Sequence, residues 1–359
     1  MQKKTGNRSC TGNTLTIGID LGDRWGHYCV LDAEGEITEE GRVRMTRTAL
    51  SAHFTGPRAR IAVETGSQSA WVNEHLCSLG HEVIVANARE LRANSGSNSK
   101  HDAADAEKLA RYARVDPRIL HPIQHRDMDT QKDLVQVRAR AAAVRARTQM
   151  INAARGMVKS FGFRLPDCST RFFGRRYWSE LPQELRDALQ PLFVAIETVS
   201  QQIKEYERRI EHMARQSYPE TQRLTQFDGV SSLTALTFIL TLADKHRFDR
   251  SRDVGCYLGL RPRRYQSGGR DPELSITKAG DSYLRSLLVE CSQRLLGRFG
   301  KDSALRRWGM KLAQRGGKNA KKRAIVAVAR KLAILLHRLW VSGEPYQPFY
   351  GLEELSVTA

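Results

Sequence analysis

The chain has 359 residues, enough for two or three globular domains, and with 40% hydrophobic and 27% charged residues it lacks the composition of a disordered protein. Its 58 Lys and Arg outnumber its 39 Asp and Glu, and the formal net charge of +19 predicts a polyanionic partner. The most apolar late stretch, Ala324 to Trp340, is interrupted by basic side chains, and no secretion signal opens the chain. We therefore expect a cytoplasmic protein, not a membrane protein.

After a flexible N-terminus at residues 1–13, residues 14–125 alternate strand and helix patterns. The apolar run TLTIGID indicates a first strand, HYCVLD and EITEEGRVRM indicate two more around a turn at Gly35, and IAVE indicates a short buried strand. SAWVNEHLCSLG is predicted as a helix, EVIVANA as a strand and HDAADAEKLARYARV as an amphipathic helix. A three-strand meander followed by αβαβα is typical of an RNase H-like domain, so an α/β fold is expected here.

Four acidic residues of this domain fall at positions suited to metal binding. Asp20 ends the apolar strand TIGID and Glu64 ends IAVE, where a carboxylate is costly unless it binds something. Asp102 and Asp105, three residues apart, share one face of the helix that follows. Four converging carboxylates could hold two Mg²⁺ ions, as phosphodiester chemistry by two metals requires.

Two alternatives for these residues stay open. Asp102 could simply cap its helix, and Asp105 could lie in a first turn that favours acidic side chains. Sugar kinases and actin-like ATPases also open with a strand and glycine turn like GIDLG. Neither the later D-x-G phosphate loop nor the Gly-rich adenosine loop of those proteins is found in the expected place, which argues against that class, as does the charge of the C-terminal third.

Residues 126–220 are predicted to form a helical coiled-coil segment that dimerises. Helices are expected at Thr130–Phe161 and Leu181–Tyr218, with apolar residues such as Leu134, Val137 and Val144 at three- and four-residue spacing. This narrow stripe would be buried between the two helices or against another subunit. The segment between the helices mixes basic and aromatic residues, which suits nucleic acid or a packed loop equally well. Its members are Arg171, Phe172, Phe173, Arg175, Arg176, Tyr177 and Trp178.

Residues 221–345 are predicted to be a mostly helical basic domain, followed by a tail at 346–359. The segment from Thr221 to Trp340 contains 25 Lys and Arg but only 9 Asp and Glu, so +16 of the net charge of +19 lies there. Ser267 lies in RPRRYQSGGRD, where glycines let the backbone approach a phosphate and arginines could bind its oxygens. Such a serine could attack a phosphodiester and stay linked to DNA, or it could be a plain turn residue. Candidate nucleic-acid contacts are Arg261, Arg263, Arg264, Arg270, Lys278, Arg285, Lys318, Lys321, Lys322 and Arg323.

These motifs resemble those of the IS110 family of insertion-sequence transposases, which are bridge-RNA-guided DNA recombinases, and the resemblance runs over nearly the whole chain. GIDLG, the Glu64 strand end and KHDAADAEKLA resemble the DEDD motifs of the family's RuvC-like domain. FDGVSSLTAL, YLGLRPRRYQSGG and ITKAGDSYLRSLLVECS resemble its transposase domain. The chain departs from the family at Ser231 and Ser232, where members often have Gly and Pro, at Gln266, often a second Ser, and at His101, often Thr.

The resemblance implies an enzyme in which Asp20, Glu64, Asp102 and Asp105 bind Mg²⁺ and Ser267 forms the covalent bond to DNA. It also implies a coiled-coil homodimer, assembly of dimers into a tetramer, and donor and target DNA that both pair with a non-coding bridge RNA. The cell is then expected to be bacterial, with the protein joining the nucleoid when on DNA. In that family the active site is composite, with the carboxylates of one subunit meeting the serine of another.

Two other functions stay open from the sequence alone. A metal-dependent RuvC-like structure-specific nuclease, such as a junction resolvase, would use the carboxylates and form no covalent adduct with DNA. A nucleic-acid-binding protein with a vestigial carboxylate site is the third possibility. Strong phosphate affinity without a recognisable base-reading module favours guidance by a bound RNA.

Overall fold

The computed structural model describes residues 15–88, 101–165, 173, 181–267, 269, 270, 272 and 274–349. The chain divides after Arg126 into two compact units. None of the helices in these ranges is long and apolar enough to cross a membrane.

The first unit is built on a five-stranded sheet with the strand order β3-β2-β1-β4-β5. Strands β1 to β3 form an antiparallel meander, and β4 and β5 continue the sheet parallel to β1. Within the described ranges of this unit, three helices join or follow the strands in the predicted meander-then-αβαβα order. The first of them, at Arg47–Phe54, is not assigned to any segment by the sequence patterns. The elements are β1 (Thr16–Leu21), β2 (Trp25–Leu31), β3 (Ile37–Arg44), α1 (Arg47–Phe54), β4 (Arg60–Glu64), α2 (Ser69–Ser78), β5 (Glu82–Ala86) and α3 (Asp102–Val115).

The two faces of the sheet bury different helices because side chains alternate along each strand. On one face Ile17 and Ile19 pack with Leu76 of α2. On the other face α3 lies directly on β1 at Gly18, where a Cβ would stand only 2.0 Å from the carbonyl oxygen of Ala106. A glycine is therefore required for this close approach of helix and strand.

The second unit begins with two long helices, α4 (Met128–Lys159) and α5 (Gln183–Gln216). Their apolar stripe is buried within the chain. Ile151 of α4 packs with Phe193 of α5, and Leu134 packs with Ile210 at the other end of the pair. The sequence leaves open whether this stripe is covered by the neighbouring helix or by another subunit. For Leu134 and Ile151 the neighbouring helix covers it.

Of the predicted basic and aromatic cluster between α4 and α5, the structure describes Phe173, and this residue is part of the core. Phe173 is buried and stacks on Phe193 with ring centroids 5.6 Å apart. For this ring, the packed-loop interpretation is the correct one. The other basic and aromatic members of the predicted cluster lie outside the described residues: Arg171, Phe172, Arg175, Arg176, Tyr177 and Trp178.

The remainder of the second unit packs around one apolar helix. Helix α7 is buried from Thr234 to Leu242, and a helix that is apolar all round must be enclosed by others. Its neighbours include α9 and α11, whose Leu288 and Leu332 join the same core. The helices here are α6 (Thr221–Leu224), α7 (Ser232–Leu242), α8 (Arg252–Tyr257), α9 (Ser282–Leu296), α10 (Ala304–Ala313) and α11 (Ala320–Ser342).

Candidate active site

The sheet places the two strand carboxylates side by side. Ile19 of β1 pairs with Val63 of β4, and Asp20 and Glu64 are the next residue of each strand. Neighbouring strands lie about 4.7–4.9 Å apart, so the two backbone positions are adjacent. Asp20 follows Gly18 by two residues, and Glu64 follows Ala62, which packs against α3. By alternation, both carboxylates lie on the face of the sheet that α3 covers.

Helix α3 brings the other two carboxylates to the same end of that face. Its last turn lies at the start of the strands, where Arg60 of β4 donates a hydrogen bond to the Ala113 carbonyl oxygen at 3.5 Å. Its first residue, Asp102, has its Oδ2 4.0 Å from Nε2 of His27. His27 is in turn the β2 residue paired with Asp20. Helix α3 thus starts where the strands end, which places the backbone of all four predicted carboxylates at that end of the sheet.

Asp102 does not cap its helix. His101 occupies the N-cap position and makes no side-chain capping bond, while Asp102 is the first helical residue. The capping alternative for Asp102 is therefore wrong. The side chain of Asp102 is 55% exposed, so it is open to a ligand from solvent.

The four carboxylates supply oxygen donors only, which suits a hard cation such as Mg²⁺. As they stand, no three His, Cys, Asp or Glu side chains within the described ranges are close enough together to hold an ion. Asp105 is engaged by Lys108, whose Nζ lies 3.2 Å from Oδ1, and Asp102 faces His27. The pair of Asp105 with Lys108 is a partly exposed ion pair of the kind that stabilises little. His27 and Asp102 only just touch, so a cation can replace both contacts at small cost.

His27 is the residue of this site that sequence reasoning missed. It lies across the hairpin from Asp20, and the signal that could have found it is the short turn between β1 and β2. With the hairpin register fixed, the alternation along β2 places His27 on the same face as Asp20.

Ser267 lies at the tip of an irregular hairpin between α8 and α9. The amide nitrogen of Ser267 donates to the Arg270 carbonyl oxygen at 3.2 Å, and the reverse bond is 3.0 Å long. Gly269 has φ of +81°, the left-handed conformation that glycine favours. Ser267 is exposed, so its hydroxyl is accessible on a short, closed turn.

The hairpin is firmly fixed at its base. A Cβ at Gly259 would be 2.2 Å from the Ala279 nitrogen, and one at Gly280 would be 2.1 Å from the Tyr257 carbonyl oxygen. Arg285 of α9 donates to the carbonyl oxygens of Leu258 and Ala279 at 3.1 and 2.8 Å. Arg285, predicted as a nucleic-acid contact, therefore braces the backbone of the hairpin that carries Ser267.

The other predicted basic contacts of this unit are on the surface. Tyr265, next to the serine turn, is 71% exposed and adds an aromatic ring to the same hairpin. The predicted contacts that are exposed are Arg261, Arg263, Arg264, Arg270, Lys278, Lys318, Lys321, Lys322 and Arg323. Together they give the second unit a surface suited to phosphate.

The segment FDGVSSLTAL contains a turn between α6 and α7. Gly229 has φ of +88°, and Ser231 is the N-cap of α7, with its side chain accepting a hydrogen bond from the Thr234 backbone nitrogen at 3.3 Å. Asp228 accepts from the Lys301 nitrogen at 2.9 Å. The turn is thus fastened to its surroundings through its own polar side chains.

Two transposase family models match the chain. One, described as a transposase of the DEDD IS110 type, matches residues 17–162, which contain all four carboxylates. The other, described as transposase IS116/IS110/IS902 family, matches residues 221–308, which contain the serine hairpin. These two matches therefore identify an insertion-sequence transposase, a class of enzyme that transfers DNA strands.

Similar proteins agree with this class over most of their length. The transposase of insertion sequence IS1328 from Yersinia enterocolitica is 31% identical over 80% of this chain and 85% of its own. The transposase of IS1111A from Coxiella burnetii is 26% identical over 92% and 91%. A pilin gene-inverting protein from Moraxella lacunata is 22% identical over 92% and 97%. The chain belongs to the IS110/IS116/IS902 family of transposases.

Proposed function

We propose that this transposase cuts and rejoins DNA with two sets of groups, the carboxylates Asp20, Glu64, Asp102 and Asp105 and the nucleophile Ser267. The observation that carries the proposal is the accessible serine at the tip of a braced hairpin with arginines on both sides. A turn serine without function would need neither the arginines nor the bracing by Arg285. The four carboxylates at one end of a sheet face would supply the metal ligands that such a strand-transfer enzyme also needs.

The carboxylates would hold Mg²⁺, two ions in the full site, whose positive charge stabilises the oxygens that attack and leave phosphorus. Lys108 and His27 would give up their present contacts with Asp105 and Asp102. The four carboxylates would then position a phosphodiester for in-line attack. Misplacing one of them should be as harmful as removing it.

Ser267 would form the covalent link. As the bond from its Oγ to phosphorus forms, the bond from phosphorus to the departing DNA oxygen breaks, the hydroxyl proton is lost and the departing oxygen gains one. Exposed guanidinium groups of Arg263 and Arg270 stand on the two sides of the turn and can neutralise the phosphate. Rejoining reverses the step with a new DNA end.

We infer that a non-coding bridge RNA pairs with donor and target DNA and supplies the sequence information. The basic surface of the second unit would hold nucleic acid by charge and shape, whereas base pairing would select the site. Coiled-coil pairing of the long helices into dimers, and of dimers into a tetramer, would let the carboxylates of one subunit meet the serine of another. That a relative is named a pilin gene-inverting protein supports rearrangement over simple cutting.

A plasmid recombination assay with the full chain, Mg²⁺ and the RNA encoded beside the gene tests this function. Ser267→Ala and Asp20→Asn are expected to abolish recombination, while Ser275→Ala on the same hairpin and Asp23→Asn in the β1–β2 turn keep it. Leaving out the RNA at constant salt should abolish site-specific products, since charge alone gives no sequence preference. Cleavage by Ser267→Ala without any adduct in the wild type would instead identify a metal-dependent nuclease.

A further inference from the structure

An exposed tryptophan lies on the same sheet face as the carboxylates. Trp25 starts β2, two residues before His27, and is 37% exposed. Cys29 and Leu31, further along the same side of β2, pack against Ala106 of α3. By alternation, Trp25 therefore lies on the α3 face, at the end of the strands where the carboxylates are placed.

Two arginines of the edge strand lie on this indole. Arg44 is paired with Trp25 and Arg42 with His27 in the β2–β3 register. Their guanidinium carbons are 5.2 and 4.7 Å from the ring centroid. Across this face of the sheet, β3 carries the arginine pair and β2 carries Trp25 and His27. The next strands, β1 and β4, carry Asp20 and Glu64.

The arginine pair has no acidic partner within the described parts of the chain. No carboxylate there forms an ion pair with Arg42 or Arg44, and Glu40, on the same strand face, lies beside Cys29. Two like charges on one ring repel each other, and cation–π attraction at an exposed site is worth only about 0.5–1 kcal/mol each. An anion placed between them would relieve this repulsion.

We propose that Trp25, Arg42 and Arg44 form a binding platform for an unpaired DNA strand that runs into the carboxylate site. The indole would stack on one base, and the two guanidinium groups would hold the flanking phosphates. An exposed ring needs an exposed base face, which a duplex hides between its base pairs, so the ligand is single-stranded. The platform rests on the proposed function, because the strand it binds is the one to be cut.

The position of the platform explains what it does for the reaction. Trp25 lies two residues from His27, about 7 Å along the strand, and His27 is directly opposite Asp20. A strand stacked on Trp25 therefore reaches the carboxylates with its next phosphates. The platform positions the strand and does not touch the reacting phosphorus.

The test needs a readout local to this surface, because the basic second unit also binds DNA. The full chain is mixed with a single-stranded oligodeoxynucleotide that carries 5-iodouracil, in the presence of a metal chelator, and is crosslinked by light. The crosslinked residue is mapped by peptide mass spectrometry, and its yield is titrated against strand concentration. The variants are Arg42→Ala/Arg44→Ala, which keeps Trp25, and Arg58→Ala, which removes one exposed charge at the opposite end of β4.

We expect the crosslink to map to Trp25 in the wild type and in Arg58→Ala. In the double variant the apparent dissociation constant at this site should rise at least about tenfold, since each charge-assisted hydrogen bond is worth a factor of about ten or more. The slope of log affinity against log salt should fall by about 1.4, because each phosphate of a single strand that an arginine neutralises adds roughly 0.7 to the slope.

Three results would overturn the platform: absence of a crosslink at Trp25, equal affinity in the double variant and Arg58→Ala, or stronger crosslinking by RNA than by DNA of the same sequence. No cleavage occurs in the chelator, so the outcome does not depend on the chemistry. Failure of the proposed function would appear separately, as recombination that persists in Ser267→Ala.

Discussion

Gly18 sets the distance between β1 and α3. Its replacement by Ala should displace α3 and with it two of the four carboxylates, and so reduce DNA cleavage. The added Cβ would be 2.0 Å from the Ala106 carbonyl oxygen and 2.5 Å from the Ala110 nitrogen. Since real Cβ contacts are essentially never below 3.0 Å, α3 must retreat by about 1 Å, and backbone atoms cannot rotate away as a flexible side chain can. Asp102 and Asp105, in the first turn of α3, move with it.

Two measurable losses are expected from Gly18→Ala. Overpacking of this kind costs about 1–3 kcal/mol in the free energy of unfolding. A displacement of about 1 Å in catalytic groups costs roughly a hundredfold in rate, so DNA cleavage should fall by about that factor even at temperatures where the variant is fully folded.

The matched control for this prediction is Gly56→Ala, because a Cβ at Gly56 meets no atom within 4 Å. Chemical denaturation of both variants gives the stability, and single-turnover cleavage of labelled DNA gives the rate. If Gly18→Ala unfolds and cleaves like Gly56→Ala, then α3 is not held by this contact and the geometry of the carboxylate face is wrong.

Three further predictions concern the core and its titrating groups. Leu134→Asp should destabilise the second unit by roughly 3 kcal/mol or more in denaturation, because Leu134 is buried within the chain, whereas Val135→Asp, at a 61% exposed position, should not. A well-folded Leu134→Asp monomer would contradict this packing. Burial and nearby Glu40 raise the pKa of the Cys29 thiol to about 11, so iodoacetamide at about pH 8 should label exposed Cys77 and spare Cys29 in mass spectra; equal labelling would refute it. Burial lowers the pKa of His337 in the folded protein. As the pH falls, the unfolded chain therefore takes up a proton on this histidine near pH 6.5, whereas the folded chain does so only at a lower pH. The free energy of unfolding should thus decrease as the pH drops below about 6.5. The pH dependence of thermal unfolding should therefore be flatter in His337→Gln, and an unchanged dependence would exclude this linkage.

Local patterns were sufficient to predict where the four carboxylates lie in the fold, whereas their binding of metal stays a prediction. Asp20 and Glu64 each end an apolar run, and parallel neighbouring strands necessarily bring such ends together. The amphipathic helix with Asp102 and Asp105 had only one apolar face to bury, so its docking on the sheet followed. The order of strands and helices was predicted for the same reason, since each element carries its own period of apolar residues.

Contacts that depend on pairing between segments could not be predicted in this way. His27 and Trp25 join the site through the registers of the β1–β2 and β2–β3 pairs. The role of Arg285 depends on two glycine contacts that bring the carbonyl groups of Leu258 and Ala279 within its reach. A sequence shows that a guanidinium is present, but tertiary contacts decide whether it meets a phosphate or the protein backbone.

The apolar stripe of the long helices shows the same limit. Its spacing fixes which side of α4 is buried but leaves open what covers it, and for Leu134 and Ile151 the cover comes from the same chain. Any dimer formed by these helices must therefore use other residues, such as the exposed Val135 and Val194.

The covalent step is tested most directly by mapping the residue that carries DNA. The full chain is incubated with Mg²⁺, bridge RNA and a nicked suicide substrate that prevents rejoining, then denatured and digested, and the nucleotide-bearing peptide is sequenced by mass spectrometry. We predict a single adduct on Ser267, present in Ser275→Ala and absent in both Ser267→Ala and Asp20→Asn. An adduct on another residue, or efficient recombination with no adduct at all, would contradict the account.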